Sequence, residues 1–151
     1  MRSLRGIAIV TSLRIYCVFI MALACAAPCC AAQQQSQAFD ECAQQFHGKT
    51  KLRVSPGVIG DLVLKKALPD AADMDPSRKF DIKVKVMIDE TGAVKCAVGI
   101  EGDQEFYERS TRTAKQWQFK PYMLNENPVI VESAFYFHYS KGRVEARFQS
   151  K

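Results

Sequence analysis

Two alternating segments joined by a tight turn constrain the fold of this chain more than any other feature. Apolar residues occupy every second position from Phe80 to Ile88, and the same period of two recurs from Val94 to Ile100. This period is typical of strands with one buried face. Between them lies Asp-Glu-Thr-Gly (89–92), whose Gly92 suits a turn that needs a positive φ. The pattern therefore predicts a β-hairpin, with Cys96 on its apolar face.

The segments after the hairpin predict a helix and a second long strand. Asp103 is a good N-cap, and a helical apolar stripe follows it, formed by Phe106, Ser110, Ala114 and Trp117. Pro121 blocks further helix. Alternation from Val129 to Tyr139 predicts a long strand, and a short terminal strand follows at 144–148. We expect an α+β fold with a three- or four-stranded antiparallel sheet and helices packed on one face.

Three stretches carry weaker signals. Residues 52–68 mix breakers with apolar residues and predict an irregular lead-in, and 69–78 predict a loop or a frayed helical turn. Residues 122–127 also predict a loop.

The N-terminus has the layout of an export signal. Arg2, Arg5 and Arg14 precede an apolar run from Ile15 to Ala27, and small residues follow it. We predict a signal peptide over residues 1–32, cleaved after Ala32. Two alternatives remain open. Ala24-Cys25 could be a lipidation site, although its Leu and Ala are in the wrong order, and the run could be an uncleaved anchor, although it is shorter than the ~20 residues that span a bilayer.

The predicted mature chain keeps two cysteines. Residues 33–50 form a short N-terminal segment in which 38–47 predict an amphipathic helix, with Cys42 on its apolar face. An exported protein meets an oxidising compartment, so Cys42 and Cys96 are a candidate disulfide. The alternative is that Cys96 is a buried free thiol. The cysteine and histidine spacing predicts no metal site.

The charge balance excludes several classes of function. Removing residues 1–32 takes away three of the 21 basic residues and none of the 16 acidic ones, which leaves a surplus of two. We therefore expect no nucleic-acid partner. His47 and His138 lie in no catalytic motif, and we interpret both as surface or capping residues. Lys83 and Lys85 are interpreted as solvated strand charges. We expect no enzymatic activity and no cofactor.

Three segments resemble the C-terminal domain of TonB. They are 53–66, 80–100 and 115–137, and the Trp117-x-Phe119-x-Pro121 motif is the most specific piece. The resemblance implies that residues 51–151 form a TonB C-terminal-like domain in which Trp117, Phe119 and Pro121 are structural. Trp117, at the end of the apolar stripe, is expected in the core.

The resemblance also implies a function. In the family, a receptor peptide pairs with the last strand by β-augmentation. Carried onto this chain, the binding residues are Val129, Ile130, Val131, Glu132, Ser133, Ala134, Phe135 and Tyr136. We therefore expect a periplasmic protein-binding module linked to transmembrane transport, whose partners are outer-membrane receptors or other envelope proteins.

This chain departs from the family in two ways. It lacks a Tyr-Pro pair before the first long strand, and its six prolines form no long spacer, which argues against coupling to an inner-membrane motor. One alternative is a structural or scaffolding envelope protein, dimeric through strand exchange. Another is that the C-terminal tail covers the predicted binding edge.

Overall fold

The computed structural model describes the backbone of residues 30–149 and the side chains of residues 37–149. Residues 1–29 of the predicted signal peptide, including the Cys25 alternative, lie outside the described residues. No helix within the described part is long and apolar enough to cross a membrane. The elements in chain order are α1 (Cys30–Gln44), β1 (Lys51–Arg53), α2 (Pro56–Gly60), β2 (Val63–Lys65), β3 (Lys79–Ile88), β4 (Val94–Glu101), a 3-10 turn (Gln104–Phe106), α3 (Tyr107–Ala114), β5 (Gln118–Phe119), β6 (Tyr122–Leu124), β7 (Asn127–Ser140) and β8 (Arg143–Arg147).

The main sheet is built around β7 and has the order β1-β7-β3-β4. β3 and β4 form the predicted antiparallel hairpin, and β3 pairs antiparallel with β7 along its whole length. β6 and β8 also pair antiparallel with β7, whereas β1 runs parallel to it. The α+β class is confirmed, and β1 makes the sheet mixed. β2 and β5 form a separate two-stranded sheet.

The inner face of the sheet packs against α3 and the residues that flank it. All members of the predicted stripe are buried, namely Phe106, Ser110, Ala114 and Trp117. They cover apolar side chains of β3 and β7 that are fully inaccessible, among them Ile82, Val84, Phe135 and Phe137. The Asp103 side chain accepts a hydrogen bond from the backbone N–H of Glu105, as expected of a cap. The period-of-two and helical patterns therefore identified the main core.

The predicted helix ends earlier than its stripe. α3 stops at Ala114, and the N–H groups of Gln116 and Trp117 donate to carbonyls only three residues back. Those tighter bonds close the last turn. The next residues, Gln118 and Phe119, then pair with β2. Trp117 therefore joins the core from the turn after the helix, not from the helix itself.

Two stretches expected to be irregular contain short elements. The lead-in 52–68 holds part of β1, together with α2 and β2, and the expected loop at 122–127 begins with β6. A two-residue turn joins β6 to β7, and both of its residues, Asn125 and Glu126, have positive φ. Such a turn matches the twist of a hairpin. Residues 69–78 contain no helix or strand, as predicted.

A register shift in the hairpin gives the sheet a second apolar face. Val94 pairs with Ile88 and Cys96 pairs with Met87, so one extra residue lies in β4. Val94 consequently faces the inner core, and Cys96 packs on the outer face with Met87, Val98 and Ile130. Because this second cluster needs cover, α1 lies over it through Phe39. The expectation that all helices pack on one face is therefore wrong for α1.

Candidate functional site

The predicted binding strand is an interior strand of the sheet. β3 occupies one side of β7 from 131 to 140. On the other side, β6 pairs with 127–129, β1 with 130–132 and β8 with 136–140. Residues 129–136 therefore do not form a continuous free edge, because β1 covers one part of β7 and β8, in the C-terminal tail, covers another part. Among the described strands, none pairs with Ser133–Phe135 on this side, and we call this interruption the β7 gap.

The backbone of Ala134 faces the β7 gap. The N–H of Ile130 donates to the carbonyl of Thr50 at 3.2 Å, and the carbonyl of Glu132 accepts from Val54 N at 3.0 Å. Backbone groups of successive strand residues point to alternate sides. The N–H and C=O of Ala134 therefore point away from β3 and into the gap.

Side chains beside the β7 gap line a groove on the outer face of about 640 Å³. We call it the central groove, and its lining is Arg53, Val54, Ser55, Pro56, Lys83, Lys85, Ile100, Glu132, Ser133, Ala134 and Tyr136. Three cations and one carboxylate are among these residues. The groove therefore combines a surplus of positive charge with a free backbone donor and acceptor.

The eight predicted binding residues divide between the core and the central groove. Five are buried, and these are Val129, Ile130, Val131, Ser133 and Phe135. Glu132, Ala134 and Tyr136 are half-buried and line the groove. The hydroxyl of Ser133 donates to the carbonyl of Val54 at 2.6 Å, which fastens the end of β1 to β7. A partner can therefore reach Glu132, Ala134 and Tyr136, whereas Ile130, on the same face of β7, is covered by α1.

Glu132 is held between two cations. Its Oε1 lies 2.9 Å from Arg53 Nη2 and 3.3 Å from Lys85 Nζ. Burial alone would raise the pKa of Glu132, but hydrogen bonds from Arg53 and Lys85 outweigh it and hold that pKa below its usual value. Glu132 is therefore ionised, and Arg53 and Lys85 share one negative charge.

The two lysines of β3 are packed more closely than the sequence indicated. Lys85 Nζ lies 4.6 Å from the ring centre of Phe39, a cation–π distance. Lys83 Nζ lies 3.3 Å from Glu101 Oε2 and 5.4 Å from the ring centre of Tyr136. Hydrogen bonding to Tyr136 and then to Glu101 raises the pKa of Lys83. Both lysines are half-buried walls of the central groove, so their interpretation as solvated charges is wrong.

The residues of the Trp-x-Phe-x-Pro motif have different environments. Trp117 and Phe119 are each 1% exposed, and the indole N–H of Trp117 donates to the carbonyl of Ala67 at 2.8 Å. Pro121 is exposed. The placement of Trp117 in the core is therefore confirmed.

The structure joins Cys42 to Cys96 in a disulfide, with Cα atoms 5.9 Å apart. The bond fastens α1 to β4 beside the outer apolar cluster. The sequence left two possibilities open for Cys96, a disulfide with Cys42 or a buried free thiol, and the structure contains the disulfide.

The two histidines differ. His47 is exposed in the turn after α1, as expected. His138 is only 6% exposed, and its Nδ1 lies 2.6 Å from Asp81 Oδ1. Its interpretation as a surface residue is therefore wrong, because β7 is covered by β8 at this point.

Sequence reasoning missed the cluster of Arg53, Lys85 and Glu132. Opposite charges on neighbouring strands attract one another across a sheet, and that signal could have placed Lys85 beside Glu132. Arg53 reaches this cluster because β1 pairs in parallel with β7. A strand of three residues is too short to show a period in the sequence, so its pairing could not be predicted.

The fold is α+β, and the outer face of its sheet holds a charged groove beside an interruption in the pairing of β7. Within the described residues, no group of His, Cys, Asp or Glu side chains could hold a metal ion. Residues 81–140, from β3 to the end of β7, match the family described as the Gram-negative bacterial TonB protein C-terminal. They form a TonB C-terminal domain. No curated protein and no solved structure matches the chain.

Domains of this family are non-enzymatic protein-interaction domains of Gram-negative envelope proteins, and they generally bind outer-membrane transporters. The match over residues 81–140 indicates an envelope-associated, TonB-like module. The match covers the hairpin, α3 and β7, whereas α1, β1 and β8 lie outside it. Of these three elements, β1 and β8 border the β7 gap in this chain.

Proposed function

We propose that this protein is a periplasmic binding module that holds an extended segment of an outer-membrane transporter at the β7 gap. The supporting observation is the backbone of Ala134, whose N–H and C=O face the gap between β1 and β8. An extended peptide satisfies such groups by strand pairing. The gap admits a short pairing of about three residues, so the side chains in the central groove must supply most of the selectivity.

The charge of the central groove indicates the partner's chemistry. Arg53, Lys83 and Lys85 outnumber the single carboxylate of Glu132 among the lining residues. Ile100, which is 48% exposed, adds an apolar contact at the rim. We propose a segment that carries an acidic side chain near an apolar one. Substitution of Glu132 or Tyr136 would change partner choice with little loss of fold.

Proline at position 134 tests this proposal. Ala134→Pro removes an N–H that faces the gap and leaves the bonds to β3, which suits proline at a strand edge. Ala134→Ser keeps the N–H and is the matched control. Fluorescence anisotropy would measure binding of synthetic peptides from the N-terminal segments of outer-membrane transporters of the same cell.

We expect at least tenfold weaker binding by Ala134→Pro, with unchanged binding by Ala134→Ser. Protection of the Ala134 amide from hydrogen exchange should appear when peptide binds the wild-type protein. If Ala134→Pro unfolds, this protection still decides the question. Wild-type affinity in a folded Ala134→Pro protein, or binding without protection, would overturn the proposal.

A structural or scaffolding role is the second candidate. Among the described strands β4 pairs only with β3, and the path of strands through the sheet ends there. An unpaired edge of eight residues is a template for a second copy of the chain. Sedimentation velocity at increasing concentration tests this, because a dimer should form and Ala97→Pro, which removes an amide that points away from β3, should weaken it. A monomer at all concentrations would exclude it.

A further inference from the structure

A second groove, of about 560 Å³, lies at the β7–β8 hairpin. We call it the hairpin groove, and its lining is Lys79, His138, Ser140, Lys141, Arg143, Glu145 and Arg147. Four of these residues are cations and one is an acid. The hairpin groove lies further along the same outer side-chain row of β7 as the central groove, so the two are separate regions of one face.

Most of the positive charge in the hairpin groove is not neutralised. Arg147 Nη2 lies 3.2 Å from Glu145 Oε2, which accounts for one cation. Lys79, Lys141 and Arg143 make no ion pair with any side chain in the described part of the chain. Like charges repel across a groove of this size unless an anion lies between them. The groove thus carries a local surplus of three positive charges.

His138 gives this groove a buried polar group that faces it. The ring is 6% exposed, and its Nδ1 is engaged by Asp81 at 2.6 Å. Nε2 makes no hydrogen bond with any described residue. Every fully buried side-chain nitrogen in the described part of the chain does have a hydrogen-bond partner, so Nε2 is not fully buried. Nε2 must therefore reach the groove. Asp81 fixes the ring orientation and leaves Nε2 as the ring nitrogen that can hydrogen-bond a ligand in the groove.

The turn between the two strands holds the basic residues in position. Lys141 and Gly142 both have positive φ, at 54° and 68°, and a two-residue turn of this kind fixes the hairpin register. Ser140 pairs with Arg143 and His138 pairs with Glu145. The turn therefore fixes where the backbone of Arg143 lies beside the groove.

We propose that the hairpin groove binds a phosphate group, with Arg143 and Lys141 as charge partners and His138 Nε2 as a hydrogen-bond partner. A phosphate monoester carries up to two negative charges and several acceptor oxygens, which suits a surplus of three cations better than a single carboxylate does. Arginine adds a planar fork that matches two phosphate oxygens. The phosphate belongs to a soluble ester or to a lipid headgroup, since either source presents the same chemistry.

The first test follows the His138 ring by NMR in the oxidised protein during titration with inorganic phosphate at constant ionic strength. We expect saturable shifts of the His138 signals and at least fivefold weaker binding by Arg143→Gln. Lys66→Gln, which removes an exposed cation elsewhere, is the matched control and should bind as the wild type does. Absence of saturation, or an equal loss in both variants, would overturn the proposal.

The second test distinguishes the sources of the phosphate. Vesicles of phosphatidylglycerol with phosphatidylcholine are compared with phosphatidylcholine alone by co-sedimentation. Binding to the anionic vesicles that Arg143→Gln weakens and Lys66→Gln retains supports a headgroup, whereas saturable binding of free phosphate alone supports a soluble ester. Stronger displacement by a polyglutamate peptide than by phosphate would overturn the phosphate assignment in favour of an acidic protein. No transporter peptide is used, so this outcome is independent of the proposed function.

Discussion

The indole of Trp117 lies flat against the ring of Phe135, with ring centroids 4.5 Å apart and an angle of 17° between the planes. The contact joins the turn after α3 to the centre of β7. Phe119, Phe137 and Phe148 surround the same indole at about 6 Å. This cluster is the inner support of the strand whose backbone borders the β7 gap.

Replacement of Trp117 by alanine should destabilise the protein severely. The substitution leaves a cavity in a close-packed cluster and removes the hydrogen bond to Ala67, so we expect a loss of about 3–5 kcal/mol in unfolding free energy. Chemical denaturation followed by circular dichroism measures it. An unchanged midpoint would contradict the role of Trp117 as a core anchor. Tyr122→Ala, at a half-buried site outside the cluster, should cost less.

Loss of the disulfide should lower stability without unfolding the inner core. Cys42 and Cys96 are 54 residues apart in sequence. Closing a loop of that length is worth about 4 kcal/mol on the loop-entropy relation. We expect Cys42→Ala to melt at a lower temperature than the oxidised wild type. Reductant should lower the melting temperature of the wild type to a similar degree and leave the variant unchanged; a response of the variant would indicate another origin.

Asp89 should make the unfolding free energy of the protein depend on pH in the acidic range. Burial would raise its pKa, but hydrogen bonds from Thr91 and Ala93 and the contact with Lys95 outweigh burial and lower it. A lowered folded pKa stabilises the fold above the usual value of 3.8, and that contribution is lost as the pH falls through the folded pKa.

Asp89→Asn should therefore cost about 1–3 kcal/mol at neutral pH. It should also make the unfolding free energy less sensitive to acid below pH 3.8, as urea denaturation at a series of pH values would show. Asp61→Asn, at an exposed position, is the control. A variant with the wild-type acid profile would show that Asp89 does not set it.

Substitutions at Gly92 and Gly48 allow the cost of steric overlap to be measured separately from the cost of a strained backbone. Their φ angles are almost equal, at 83° and 82°, but a Cβ at Gly92 would overlap the carbonyl oxygen of Phe119, whereas none lies near Gly48. Gly48→Ala should cost about 1–2 kcal/mol for the left-handed backbone. Gly92→Ala should cost about 1–3 kcal/mol more, since overlap adds to strain. Equal melting temperatures would contradict the close approach of Phe119.

The sequence predicted the parts of the fold that have a period. Alternation from Phe80 to Ile88 and the stripe ending at Trp117 both follow from one buried face, and the structure confirms them. The outer apolar cluster was not predictable. The bulge between Val94 and Cys96 turns their side chains to opposite faces of the sheet, although apolar residues still alternate in the sequence. β1 was missed because three residues carry no period.

The candidate site was predictable only in part. Residues 129–136 were predicted as one binding strand, and strand alternation leaves Glu132, Ala134 and Tyr136 as its half-buried residues beside the central groove. Which backbone groups remain free depends on the neighbours of β7. Those neighbours, β1 and β8, come from opposite ends of the described chain, and no local pattern announces their pairing. For the same reason His138 was expected on the surface.

The arrangement of neighbours around β7 has a consequence for the kinetics of folding. β6, β7 and β8 can form hairpins locally, but Val54 must find Ser133 across 79 residues before β1 is in place. Closing so long a loop is slow, because its entropy is lost before any contact compensates for it. The wall of the β7 gap formed by β1 should accordingly be completed late, after the strand that it borders already has its hairpin partners.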